Sequence, residues 1–429
     1  MSQPKKIKLI TFAPHPNFGT CLQSYALNYV LRKMGHDVEF IYNCRGDVKP
    51  ESNKHKIIRW IKSFIKLFIP KSYLAKRKLR KKKEEEERQK QGIKRDPEIL
   101  TLPNNWPLYL FSKLPCYDKW WKKHMCINLQ WQKVFKFTYE DGNFKMRRIF
   151  THRQYHEVTA DTDLFITGSD QIWSPYCMGF NPMMFVEFGE DKKRIAYSSS
   201  IAQPELPKLV EQRMKEDLMK FSHIGVREKR SVELLNALMN RTDVRLVVDP
   251  TYLLTREEWS EFGKRAQIEF PVPEKYIFCY LAGARKKEFK QMVEEVKALT
   301  GITEVIDLEC GNRIDNYLGG RHYMDAGPYE WVYLLEHSSY VCMDSFHATV
   351  FALKFQKDFV HIMKNTDTET GSQNTRMYDL LSRYGILRKN YVPGNKGEWK
   401  VPVDYSKITP FIEEEIKDSM AFLKYEIEN

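Results

Sequence analysis

The sequence predicts an α/β protein in which short apolar strands alternate with helices in two doubly wound domains. Three segments carry that expectation. Residues 6–12 read as a strand and residues 14–19 as a turn, and Leu22, Tyr25, Ala26, Tyr29, Val30 and Met34 then fall at helical spacing. Gly35 ends the helix and residues 38–42 form the next strand, giving a βαβ unit with a ligand-sized first turn but no GxGxxG fingerprint. The second segment, residues 163–173, is a buried strand that breaks at Gly168 into the polar cluster Ser169-Asp170-Gln171. In the third, the apolar run Tyr340–Met343 ends in Asp344-Ser345-Phe346-His347 and passes into a helix-like stretch. Ligands of open α/β sheets gather at the carboxyl ends of strands, where a helix N-terminus offers free N–H groups and a positive dipole end. On these residues alone, His347 reads equally well as a ligand-facing group or as a helix-capping histidine.

The same rhythm fills the rest of the chain. Residues 1–48 and 161–266 make the first domain, with further strands at 164–167, 194–198, 224–227 and 245–248 and helices at 206–221 and 229–239. Residues 49–160 read as an insertion into it, and residues 267–275, with two prolines, as a linker. The second domain spans 276–405. Its strands fall at 276–281, 304–308, 340–343 and 359–363, with helices at 287–299, 329–337 and 348–353 between them. Residues 406–429 hold a last helix, expected to pack back on the first domain.

Bulk properties narrow the class. A chain of 429 residues is too long for one compact core. With 42% hydrophobic and 13% aromatic residues it is globular. Its eight cysteines form no CxxC pair, which predicts buried free thiols in a reducing compartment. The chain enters a strand with no secretory leader and has no apolar run near the roughly 20 residues that span a bilayer, so a cytoplasmic protein is expected. The net charge of +13 is local: residues 53–95 hold 17 Lys and Arg against four Glu, leaving 52 basic and 52 acidic residues elsewhere. A basic groove spread over the fold is thereby excluded, and nucleic acid with it.

Within the insertion, Ile57, Ile58, Ile61, Phe64, Ile65 and Phe68 form a helical stripe opposite Lys56, Arg59, Lys62 and Lys66. Two readings stand: a helix packed on the body, or one lying peripherally in the headgroup layer of an anionic membrane. The aromatic-rich residues 100–159, including Trp106, Trp120, Trp131, Phe137 and Phe144, read as core in preference to a sugar platform. His15, His36, His152 and His156 lack partners at metal-ligand spacing, so no metal is expected.

Taken together and in order, six pieces resemble the polysaccharide pyruvyl transferase family. They are NFGTCLQSYAL from Asn17, GSDQIW from Gly168, RIAYSSSIA from Arg194, VREKRSVELL from Val226, VVDPTYLL from Val247 and DSFHATVFAL from Asp344. The resemblance runs from about residue 6 to about 381, apart from about 46–160. It implies a Rossmann-like pair of domains similar to the two-domain glycosyltransferase B architecture. It also implies transfer of an enolpyruvyl unit from phosphoenolpyruvate, as donor substrate and with no cofactor, onto two hydroxyls of a saccharide that is sometimes carried on lipid.

Such a reaction needs a general acid/base, for which His347 is the candidate, and cations that grip anions bidentately, for which Arg227 and Arg376 are the candidates. Ser345 stands where some relatives carry arginine and keeps one hydrogen bond to offer. Asn17 and Gly19 bring backbone N–H groups to the cleft, and Asp170 and Gln171 suit sugar hydroxyls. Structural alternatives remain: an ion pair with Glu228 for Arg227, a capping role for Arg376, and a turn or N-cap role for Asp170. Two rival functions share the architecture, a nucleotide-sugar glycosyltransferase and a non-catalytic, membrane-associated polysaccharide assembly protein.

Overall fold

The computed structural model describes residues 3–12, 14–43, 96–177, 179–283, 285–309, 316–367, 369, 371–395 and 397–429. The basic helix and charged arm read between residues 53 and 95 lie outside them. Seven strands form the first sheet: β1 (Lys6–Ile10), β2 (Asp37–Asn43), β3 (Met146–Ile149), β4 (Leu164–Thr167), β5 (Lys193–Ser199), β6 (His223–Val226) and β7 (Arg245–Leu246). All pair in parallel, in the spatial order β3-β2-β1-β4-β5-β6-β7. β4 is buried along its whole length because helices cover both faces, which is why it reads as an unbroken apolar run. The order reverses between β1 and β4, so a crevice opens at their carboxyl ends.

β3 departs from the sequence reading, which placed residues 146–149 in the insertion. An edge strand needs no apolar run, and Arg147 of β3 instead pairs with Glu39 of β2 at 3.3 Å. The aromatic-rich stretch, expected as core, divides. Phe137 and Phe144 are buried, whereas Trp106 and Trp120 are 44% and 41% exposed.

The helices of the first domain are α1 (Phe18–Lys33), α2 (Trp106–Phe111), α3 (Tyr117–Met125), α4 (Leu129–Phe135), α5 (His152–Ala160), α6 (Lys208–Leu218), α7 (Lys229–Met239) and α8 (Arg256–Gly263). α1 is buried along most of its length because it lies between the first sheet and the second domain. The second sheet comprises β8 (Ile277–Leu281), β9 (Val305–Glu309), β10 (Arg321–His322), β11 (Tyr340–Met343) and β12 (Phe359–His361). It is also all parallel, in the order β10-β9-β8-β11-β12. Around it lie α9 (Lys286–Thr300), α10 (Pro328–His337), α11 (Phe346–Lys354) and α12 (Thr375–Arg383). Its reversal falls between β8 and β11. There the Asp344 carboxylate accepts hydrogen bonds from the Ala282 and Gly283 N–H groups at 2.7 and 2.6 Å and ties the two strand ends together.

One apolar core joins the domains. The Phe18 ring packs against Tyr280 and Trp331 at 5.9 and 6.2 Å, and Trp259 against Phe351 at 4.8 Å. α13 (Tyr405–Glu428) returns to the first sheet, where the Val248 N–H donates to Ser419 Oγ at 2.9 Å and Lys193 Nζ to the Glu426 carbonyl at 2.7 Å. The cysteines are mixed: Cys21, Cys279 and Cys342 are buried free thiols, while Cys116 and Cys177 are exposed. Among the described residues no cluster of three or more His, Cys, Asp or Glu could hold a metal, and no helix is long and apolar enough to cross a membrane.

Candidate active site

The two reversal points face each other, so groups at the carboxyl ends of both sheets meet. Past β4 the chain turns through Gly168 and Asp170, both left-handed at φ 112° and 69°. A Cβ on Gly168 would stand 2.1 Å from the Tyr197 carbonyl oxygen, so only glycine fits there. The turn aims the buried Asp170 carboxylate inward, where it accepts from the Gln171 N–H at 2.9 Å, Thr20 Oγ1 at 3.1 Å and Arg227 at 3.2 Å. Burial raises this carboxyl, but His347, Arg227 and Arg376 more than offset it and hold it below its ordinary value.

Arg227 follows β6 and is 2% exposed. It was the leading candidate for an anion of the donor. The structure shows the ion-pair alternative in an extended form: Nε bonds Glu228 at 3.2 Å, one terminal nitrogen bonds Asp249 at 2.9 Å and the other bonds Asp170. Glu228 is itself fixed by the hydroxyls of Ser200 and Ser231. Burial lowers the guanidinium pKa, but the three carboxylates together leave it above its usual value.

Asp249 is the residue the sequence reading missed. It N-caps a short 3-10 turn through Oδ1, taking the Thr251 N–H at 3.1 Å and Oγ1 at 2.7 Å. Its Oδ2 takes Arg227 and the Ser169 hydroxyl, the latter at 3.1 Å, and lies 3.5 Å from His347 Nε2. Burial raises the carboxyl; His347, Arg227 and Thr251 hold it well below the carboxylate range. The signal was present, since an aspartate directly after Val247-Val248 ends a strand segment at the same edge of the sheet as Asp170 and Arg227.

His347 is the second residue of α11, behind the N-cap Ser345, whose hydroxyl accepts the Ala348 N–H at 3.5 Å. Ser345 is thus committed to the helix start. Nε2 of His347 lies 3.5 Å from both Asp249 Oδ2 and a terminal nitrogen of Arg227, while Nδ1 has no hydrogen-bond partner among the described residues. A Cβ on Gly19 would lie 2.2 Å from that Nδ1. Gly19 was expected to supply a backbone N–H; its visible role is to leave room for the imidazole. Asn17 N-caps α1 without a side-chain bond, and its own N–H donates to His15 Nδ1 at 2.9 Å.

On the second-domain wall, Arg376 near the start of α12 lies 5.6 Å from the Phe346 ring, whose centre is also 4.3 Å from Arg227. It is 8% exposed, bonds Gln373 Oε1 at 3.1 Å and leaves Nε without a partner. No carboxylate lies within ion-pair distance of it among the described residues. Burial and the charge of Arg227 push it down to about 10. Beneath it His361 is fully buried and bonds Thr349 Oγ1 at 3.1 Å, with Nε2 unpartnered; burial and Arg376 push it down to about 3. The Gln171 amide nitrogen is a further buried donor without a partner. A separate cavity of about 430 Å³ lies at the far end of α1, lined by Tyr29, Lys33, His36 and Lys424 among others, remote from this cluster.

No curated protein matches the sequence. Among solved structures, the chain is similar to a Listeria monocytogenes protein assigned as a UDP-N-acetylglucosamine 2-epimerase, at 11% identity and TM-score 0.48, over 99% of this chain and 97% of that one. It is also similar to the UDP-GlcNAc 2-epimerase of Methanocaldococcus jannaschii, at 10% identity and TM-score 0.41, over 95% and 91%. A third likeness is to the glycosyltransferase SnogD of Streptomyces nogalater, at 13% identity and TM-score 0.39, over 100% and 96%. The family model for polysaccharide pyruvyl transferase matches residues 17–363, a span that holds Gly19, Asp170, Arg227, Asp249 and His347 and stops short of Arg376. With most of its 429 residues in that match, the chain belongs to the polysaccharide pyruvyl transferase family.

Proposed function

We propose that the protein moves an enolpyruvyl unit from phosphoenolpyruvate onto a sugar of a surface polysaccharide or its lipid-linked precursor, with phosphoenolpyruvate as donor substrate and no cofactor. One observation carries this reading: an imidazole whose Nε2 lies 3.5 Å from both the buried Asp249 carboxylate and Arg227, with Nδ1 unpartnered, shares a cleft with a buried arginine that has no carboxylate in ion-pair contact. The first suits proton transfer, because its Nδ1 is left without a partner and an imidazole exchanges protons near neutrality. The second suits an anion, because a buried guanidinium with no carboxylate in ion-pair contact gains most from a phosphate or carboxylate.

The step balances without a redox partner. A proton delivered to the donor's methylene carbon leaves an oxocarbenium-like carbon bearing phosphate and carboxylate. One sugar hydroxyl adds there and gives up its proton, inorganic phosphate leaves, and a second hydroxyl closes the ketal. His347 delivers and receives protons, Arg376 holds the donor's charge, and Asp170 and Gln171 face the acceptor hydroxyls. The basic residues 53–95 bring the protein to the inner face of an anionic membrane, where lipid-linked saccharides are built.

The test is acceptor-dependent phosphate release from phosphoenolpyruvate, with the ketal methyl group followed by NMR. Nucleotide-sugar turnover without phosphate release from phosphoenolpyruvate would overturn the reading.

A further inference from the structure

An apolar surface next to the cleft is left uncovered. α2 buries none of its residues and α3 buries only Tyr117. Trp106, Leu110, Leu114, Trp120, Ile127 and Leu129 are between 41% and 62% exposed, and all lie on these helices or just beyond them. Other exposed large apolar side chains, such as Leu209, Leu299 and Val401, come from separate parts of the chain. The rings form two groups: Trp120 lies 5.1 Å from Phe111 and stacks on His124 at 5.2 Å, and Trp106 meets Tyr109 edge-on at 5.5 Å. Six large apolar side chains exposed within one stretch of about 25 residues mark an interaction site, whereas scattered ones do not.

Charge identifies the partner. Lys113, Lys119 and Lys123 stand on or between these helices and are exposed. The carboxylates close to them are already paired, Asp118 with Arg148 at 3.3 Å and Glu140 with Lys122 at 2.5 Å. In the sequence, the strongly basic residues 53–95 end ten residues before α2. Indole rings and leucines flanked by lysines match the headgroup layer of an anionic bilayer, where rings take the interface and lysine stems lie along apolar surface with their ammonium groups in water. The surface also leads to the cleft. From Leu129 the chain continues along α4 to Trp131, whose ring lies 5.7 Å from His15, and His15 accepts the N–H of Asn17 at the start of α1.

We infer that the α2–α3 surface docks on an anionic membrane and turns the mouth of the cleft, past Trp131 and His15, toward an acceptor carried on lipid. The orientation toward an acceptor rests on the pyruvyl-transfer reading; the docking does not. Flotation of the full chain with vesicles of phosphatidylcholine, alone or with about a third phosphatidylglycerol, tests it. The parent should float with the anionic vesicles and release as salt rises from about 0.05 to about 0.5 M. Trp106→Ser/Leu110→Ser/Trp120→Ser should lower partitioning by about tenfold or more, with circular dichroism and melting temperature unchanged. The milder Trp106→Phe/Trp120→Phe should keep flotation but lose tryptophan quenching by brominated lipid.

A parent that stays soluble at low salt overturns the proposal. So does a serine variant that floats as the parent does, since residues 53–95 would then suffice. Phosphate release with a soluble acceptor, measured on the same samples, separates the two ideas. Release without flotation removes the docking surface and spares the chemistry; flotation without release removes the acceptor orientation and spares the docking.

Discussion

The first-domain wall of the cleft and the second-domain wall hold their arginines in opposite electrostatic states. Arg227 is bonded through Nε and both terminal nitrogens to three carboxylates, Glu228, Asp249 and Asp170. Arg376 stands near the same Phe346 ring with a neutral glutamine as partner and a bare Nε. Both are buried, so the difference lies in the company each keeps. A guanidinium already surrounded by carboxylates organises the site. One with no carboxylate in contact, in a low-dielectric setting, raises the energy of the empty cleft, and an anionic ligand relieves that cost. The first wall is therefore a closed set of charges, while the second carries both the imidazole that meets that set at Asp249 and the arginine left open to an anion.

Breaking the first wall should have the largest effect. Arg227→Met would leave three buried carboxylates around an uncharged side chain, at a cost of about 3–5 kcal/mol. Arg376→Met removes a charge with no carboxylate to strand, so stability should stay within about 1 kcal/mol of the parent or rise. Urea melts of the two variants decide it. Equal losses would mean that the walls do not differ.

Next in size is the loss of His347. His347→Ala should lower turnover by roughly 10²-fold or more. The melting temperature should hold, because Ser345 still caps α11. Acceptor-dependent phosphate release is the measurement, and a rate within a factor of a few of the parent would take proton transfer away from this side chain.

How much of this was legible in the sequence differs between the walls for physical reasons. Parallel strands buried on both faces appear as apolar runs, so β4 and β11 could be read directly, and the polar residues that follow them, Asp170 and His347, stood out. β3 could not be read, because its two arginines face a half-exposed edge. Asp249 lay in plain view inside VVDPTYLL, but an Asp-Pro pair reads as a turn, and β7 ahead of it is only two residues long. Gly19 pointed to the cleft for a different reason from the one the structure shows, since its closeness to His347 joins positions far apart in the chain. The lack of a carboxylate in contact with Arg376 is a tertiary fact: Asp170 and Glu228 come near enough to act on it but are bound to Arg227 instead. For the same reason nothing in the sequence singled out His361.

His361 offers a smaller and more specific probe of the second wall. Its folded value of about 3 lies below the ordinary 6.5, so the unfolded chain binds this proton first. Stability from the neutral buried ring is therefore full above about 6.5 and is lost as pH falls toward about 3. Between pH 6.5 and about 4.5 the parent should lose about 2–3 kcal/mol more than His361→Gln in matched urea melts. Parallel profiles would show that the imidazole does not bury a proton-free ring beside Arg376. Since part of the depression comes from the Arg376 charge, Arg376→Met should also narrow the gap.

The smallest expected effect is the sharpest test of the comparison. Arg376→Lys keeps the positive charge near Phe346 but loses the planar fork that grips two oxygens at once. The long-range attraction for the donor survives, and only the geometric part of the grip is lost. The apparent Michaelis constant for phosphoenolpyruvate should therefore rise about tenfold, with turnover at saturation within a factor of a few of the parent. Stability without ligand should not change, because no partner is stranded, while the rise in melting temperature on adding phosphoenolpyruvate should shrink with the weaker binding. Arg227→Lys supplies the contrast. It should lower stability through the poorer fit among Asp170, Glu228 and Asp249 and leave the donor dependence of the folded fraction near that of the parent. If Arg227→Lys raises the Michaelis constant and Arg376→Lys does not, the donor's anion sits on the first wall, and the arginine of the second, with no carboxylate in contact, has some other partner.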